Sequence, residues 1–177
     1  TEATYDKNQR NNSRRAEKRE VTMAMNEYVQ GEVKKVITNT GFEFPLNHAM
    51  ATAWIVANYK GENLKIFDQR KSSALCDYSI LATAQNVTQA RSMVDEISAN
   101  LRDNGANIVS YEGYESGNWI LLDTGDIIVH IFNGPSRDVY DLDSVLTRNP
   151  QVKIPDEFYF GKPTSVATEK ADLKGYF

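Results

Sequence analysis

Cysteine occurs once in this chain, at Cys76, and histidine only twice. A single thiol excludes an intrachain disulfide. One cysteine and two histidines also leave too few soft ligands for a structural zinc site. No apolar run approaches the ~20 residues needed to span a bilayer, so no membrane partner is expected. The N-terminus lacks an apolar core of the signal-peptide kind. It contains Glu2, Asp6, Glu17 and Glu20, which also sets it apart from acid-poor transit peptides. No Gly-Ser turn precedes an Asp-x-Asp pair, so the phosphate-holding loop of a nucleotidyltransferase is missing.

What remains is ordinary for a globular protein: 177 residues, 41% hydrophobic and 25% charged, enough for one domain with a core and extensions. The net charge of −4 is unevenly spread. Residues 1–45 are slightly basic, residues 46–148 carry nearly all the excess acid, and residues 149–177 balance. The bases at the start are dense: Lys7, Arg10, Arg14, Arg15, Lys18 and Arg19, with only Glu17 among them. This segment reads either as a solvated tail or as an arm that orders on RNA phosphates.

The chain then alternates between helical and extended patterns. Met25, Tyr28, Val29, Val33, Val36 and Ile37 recur at spacings of three and four, which predicts an amphipathic helix over 21–37. Asn47 is placed to cap a helix over 49–59, and Asn86 one over 87–104 with Ala90, Met93, Val94, Ile97 and Leu101 inward and Gly105 closing it. Strands are predicted at 64–68, 77–83 and 108–114. A last helix over 137–146, capped by Ser136, would turn Val139, Tyr140, Leu142 and Val145 inward. Beyond it, the proline- and aromatic-containing segment 149–177 reads as an extended tail lying on this domain or on a partner. The order predicts an α/β fold with a mixed β-sheet flanked by helices.

The centre of this organisation is Gly117–Phe132, GNWILLDTGDIIVHIF. Two apolar runs flank Asp123-Thr124-Gly125-Asp126, whose residues favour a tight turn. They form a predicted hairpin. On it Trp119, Leu121 and Asp123 share one side, and Asp126, Ile128, His130 and Phe132 share a side of the next strand. An aromatic anchor with a polar rim is the make-up of a protein interface; a Trp beneath a helix is equally a core residue. Catalysis is disfavoured. Asp123 and Asp126 are explained by the turn, His130 has no nucleophile beside it, and Cys76 next to Asp77 is a poor thiolate.

Several pieces in order, LKIFDQR (64–70), KSSALCDYSILAT (71–83), Gln89 in its helix, Glu112-Gly113, the hairpin segment and RDVYDLD (137–143), resemble the ribosome silencing factor family, also called RsfS or Iojap. The resemblance covers about 46–148 and leaves 1–45 and 149–177 as extensions. Ala84 stands where the family has Gly, Leu146 where it often has Trp, and Asn133 where it often has a His or another polar residue. The resemblance implies a nucleotidyltransferase-like fold without its catalytic motif, no enzymatic role, and no cofactor or metal. It implies binding to the large ribosomal subunit through its L14-family protein, so that the small subunit cannot join. Organelle members of the family act in large-subunit assembly, where the extensions would recruit further assembly factors.

The expected partner-binding residues are therefore Trp119, Leu121, Asp123, Asp126, Ile128, His130, Phe132 and Arg137, and the matching Trp in the family is a partner contact. Tyr140 is expected to be structural, and Arg137 is left open. The acidic domain fits a basic ribosomal protein, while Lys7, Arg10, Arg14, Arg15, Lys18 and Arg19 would reach rRNA. Extensions of this kind, with a start at Thr1, suit a processed protein of the mitochondrial matrix, with a bacterial cytoplasmic protein as the alternative.

Overall fold

The computed structural model describes residues 2–159, with side chains from residue 7 onward. The part of the C-terminal segment beyond Tyr159, including Phe160, Tyr176 and Phe177, lies outside the described residues. The described elements in chain order are α1 (Glu2–Ile37), α2 (Leu46–Asn58), β1 (Glu62–Asp68), β2 (Tyr78–Ala84), α3 (Val87–Asp103), β3 (Ser110–Glu112), β4 (Trp119–Asp123), β5 (Ile127–Asn133), α4 (Ser136–Tyr140), α5 (Leu142–Leu146) and β6 (Gln151–Val152), followed by a 3-10 turn at Asp156–Phe158.

Residues 2–20 are helical, not a tail: α1 runs unbroken for 36 residues. Neither Gly nor Pro occurs before Gly31, so nothing in the backbone stops the helix, and Arg, Lys, Glu, Gln and Ala all propagate it well. Two compact units divide the chain. One contains α1 through Glu32, and the other begins at Val33 and contains the sheet.

In the second unit the six strands lie in the order β3-β4-β5-β2-β1-β6. Only the β2–β5 pairing is parallel; the others are antiparallel, which makes the sheet mixed as expected. The central strands β2 and β5 pair over Tyr78↔Ile127 to Ala84↔Asn133. The helices α2 and α3 pack on each other and on one face of the sheet. That face holds Ile66, Ile80, Ala82, Ile120, Leu122, Ile127, Val129 and Ile131, all fully buried. The inward positions of α3 follow the sequence pattern: Ala90, Met93, Val94, Ile97 and Leu101 are fully buried. The Asn86 side chain accepts from Gln89 N at 2.8 Å, capping its first turn.

Other boundaries moved. Asn47 sits inside the first turn of α2, not at its cap. Its Nδ2 donates to Ile37 O, tying the helix start to the end of α1. The described start of the C-terminal segment lies along this domain: Gln151–Val152 adds a sixth strand to the edge of β1, and Phe158 is buried.

The largest departure is at 136–146. One helix was expected; Asp141 adopts φ +48° and splits it into α4 and α5. Asp tolerates this left-handed conformation better than most residues, and Ser144 Oγ donates to its carboxylate at 2.6 Å. The break shifts the helical phase. Val139, Tyr140 and Val145 are therefore exposed, and Leu146 is the buried residue instead.

Candidate docking surface

The sheet face opposite α2 and α3 is only partly covered. At its β1–β2 end a small second core forms from Phe67, Leu81, Phe132 and Leu146, with Trp119 and Leu142 packed against it. Here α5 serves as the lid. Toward β3 and β4 no described helix of the second unit lies over it, and Leu121, Asp123 and Ile128 are half-buried. Register makes these residues neighbours. Leu121 pairs with His130, Asp123 with Ile128 and Glu112 with Leu121, so Ile128 lies diagonally from Leu121 on the same face.

Trp119 joins the covered and uncovered parts. Its ring stacks on Phe132 with centroids 5.3 Å apart, and Tyr140 lies 4.8 Å away on its other neighbour contact. Its indole Nε1–H donates to His130 Nδ1 at 3.0 Å. That bond requires an unprotonated Nδ1. Burial pushes the imidazole in the same direction, down to about 4, so His130 is neutral at physiological pH. The histidine holds the indole in one orientation across the strand pair.

The entry to β4 fixes where Trp119 stands. Gly113 has φ +78°, and a Cβ there would come within 2.0 Å of Trp119 O. The chain can turn back against β4 at this point only because the side chain is absent. At the other end of β4 the Asp123 carboxylate accepts from Gly125 N at 2.7 Å, closing the hairpin turn.

Each expected partner-binding residue can now be located. Trp119, Leu121, Asp123 and Ile128 share the uncovered face and are partly accessible; Asp126 is exposed at the turn. Three do not reach the surface. Phe132 is fully buried beneath Trp119, and His130 is 7% exposed. Arg137 is 4% exposed: its guanidinium forms a two-pronged ion pair with Asp143, both contacts at 2.9 Å, and also donates to Asn63 O and Thr83 Oγ1. Lys65 adds a third contact to Asp143 at 3.1 Å. Together they hold that carboxyl down at about 2, the guanidinium hydrogen bonds being the main cause. Arg137 therefore anchors α4 and α5 to the sheet, with its guanidinium turned away from the surface.

Tyr140 reverses the other way. It was expected inside and is 53% exposed, extending the aromatic surface beyond Trp119. Helical periodicity could not find it, because the backbone turns left-handed at Asp141 and the helix does not continue through it. The six basic residues of the proposed arm, Lys7 to Arg19, are all exposed on α1.

Groups with catalytic potential are otherwise engaged. Asp68 is paired with Arg70 at 2.7 Å, and burial raises the Cys76 thiol. Among the described residues no three His, Cys, Asp or Glu side chains come together in a metal-binding group. No described helix is long and apolar enough to cross a membrane.

The fold and this site define a class: a small α/β domain with an apolar and aromatic patch on a sheet face that the helices of its own unit only partly cover. The family model "Ribosomal silencing factor during starvation" (RsfS) matches residues 45–174, and the chain belongs to that family. The RsfS of Chromobacterium violaceum is 34% identical over 86 residues, covering 49% of this chain and 70% of that protein. The mitochondrial Iojap-related protein of Arabidopsis thaliana is 26% identical over 96 residues, about half of each chain. A crystal structure of a Chromobacterium violaceum protein superposes with a TM-score of 0.52 at 28% identity, covering 64% of this chain and 97% of that one. The central domain is thus shared with bacterial proteins, whereas the whole of α1 lies outside the matched span.

Proposed function

We propose that the protein silences or guards large ribosomal subunits by docking on their L14-family protein and sterically blocking the small subunit. The observation that carries this reading is the uncovered face of β4 and β5. Leu121 and Ile128 continue the Trp119–Tyr140 aromatic surface; the register sets Glu112 opposite Leu121 and Asp123 opposite Ile128, Asp126 is exposed at the adjoining turn, and Asp138 and Asp141 are exposed on either side of Tyr140 in the chain. An apolar centre with an acidic rim suits a basic protein partner: burial of the centre supplies affinity, and the rim supplies orientation and on-rate. The mechanism needs affinity and bulk and no bond chemistry, so the protein acts as a binding factor and not as an enzyme. The plant mitochondrial relative supports a mitochondrial matrix location, where the same docking would act on assembling large subunits.

Leu121 and Tyr140 are the test positions because both are accessible, whereas replacing Trp119 would also disturb Phe132 and His130. Leu121→Glu with Tyr140→Ala is expected to lower co-sedimentation with isolated large subunits more than tenfold while the circular dichroism stays native. Bound wild-type protein is expected to prevent added small subunits from joining. Unchanged sedimentation of the folded variant would remove the hairpin face as the anchor, and normal joining with the factor bound would remove the steric mechanism.

A further inference from the structure

Between Lys7 and Glu20 every residue of α1 is exposed, and the only apolar one is Ala16. A helix with no apolar stripe gains nothing from packing there, so any ligand of this stretch must be recognised by charge. The charges are sorted. At the α-helical repeat, Lys7, Arg10, Arg14 and Lys18 follow one another at spacings of three and four, and Arg15 and Arg19 form a second row beside them. All six fall within about half of the helix circumference. Ser13, Ala16, Glu17 and Glu20 occupy the other half. The stripe is roughly 18 Å long at ~1.5 Å rise per residue.

This arrangement is self-repelling. Arg10 and Arg14, Arg14 and Lys18, and Arg15 and Arg19 are like charges one turn apart, which destabilises an isolated helix. A polyanion laid along the stripe removes that repulsion and releases its own counterions. Resting on the reading of the protein as a large-subunit factor, we propose that this face of α1 binds the phosphate backbone of duplex RNA without reading its sequence. Four of the six bases are arginine, whose planar fork matches phosphate oxygens. No aromatic residue lies between Lys7 and Glu20 to stack on unpaired bases, which favours a duplex over a single strand. The opposite half carries Glu17 and Glu20 where a membrane-surface helix would need an apolar face.

The full-length chain is titrated against an arbitrary RNA duplex of about 20 base pairs, read by fluorescence anisotropy between roughly 50 and 200 mM salt. The comparison is a variant with Arg14→Gln, Arg15→Gln, Lys18→Gln and Arg19→Gln, which keeps helix-forming side chains. Loss of four phosphate contacts is expected to make the slope of log affinity against log salt shallower by about 3. A more than tenfold weaker affinity at the lowest salt accompanies it, with unchanged helicity. An equal slope in the variant overturns the proposal. So does tighter binding of the corresponding single strand, or displacement of the duplex by polyglutamate at equal charge. Naked RNA carries no ribosomal protein, so the Leu121 and Tyr140 variant retains this binding, and failure of the docking reading is distinguishable from failure of this one.

Discussion

The two faces of the β4–β5 hairpin are made from alternate residues of the same two strands, yet they meet different surroundings. On one face Ile120, Leu122, Ile127, Val129 and Ile131 are all fully buried in the core that α2 and α3 complete. On the other, Leu121 and Ile128 are just as apolar and remain half-exposed, and Trp119 is held between a buried histidine and an exposed tyrosine. Hydrophobicity does not distinguish the faces. Only what packs over them does. A strand pair that looks buried on both sides can thus serve as a core on one side and as a surface on the other.

That contrast can be broken by substitution. The largest effect is expected at Ile131→Ala, which leaves a cavity in a central strand and should cost about 4 kcal/mol in denaturant unfolding. Leu121→Ala, directly across the sheet, should cost less than about 1 kcal/mol, because that side chain is only half removed from water. Equal losses would show that the second face is also core.

Arg137→Ala should cost about 3 kcal/mol, since it strips the buried partner from Asp143 and frees α4 and α5 from the sheet. Arg137→Lys should recover little, because a single ammonium cannot replace the fork that reaches Asp143, Asn63 and Thr83 together. Unfolding midpoints of both variants check this. A silent Arg137→Ala would mean that the guanidinium is held in place by its neighbours without stabilising them.

The next effect is pH-dependent. His130 is held to about 4 in the fold against an ordinary value of 6.5. Below pH 6.5 the unfolded chain takes up a proton that the folded chain refuses until about 4. Stability is therefore full above 6.5 and declines toward pH 4, by about 2–3 kcal/mol for this group. His130→Gln can still accept from Trp119 but does not titrate, so its stability should be flatter over the same window. Asp143, depressed to about 2 by Arg137, adds a further loss only below its ordinary value of 3.8. A wild-type profile no steeper than that of His130→Gln would contradict the buried neutral histidine.

Local rules account for much of the fold. The hairpin turn at Asp123–Asp126, the Asn86 cap and the inward positions of α3 depend on neighbours within a few residues and could be read directly. The alternation on β4 also correctly separated Trp119, Leu121 and Asp123 from Ile120 and Leu122. The failures have separate causes. Tyr140 was assigned inward because helical phase was carried across Asp141, where the backbone turns left-handed. The role of Arg137 depends on Asn63 and Thr83, distant in sequence. The helical state of the basic segment was missed for another reason: its lack of apolar residues argued against order, but backbone propensity without glycine or proline decided in favour of helix.

By itself, then, the sequence determined the five strands between residues 62 and 133, the turn, the acidic domain with its basic N-terminal segment and the family, because these follow from short-range chemistry and from ordered motifs. Only the tertiary structure decided which face of the hairpin is left uncovered and which polar residues are buried. Those properties are set by where α2, α3 and the broken α4–α5 pair pack, and packing partners far apart in the chain leave no local pattern.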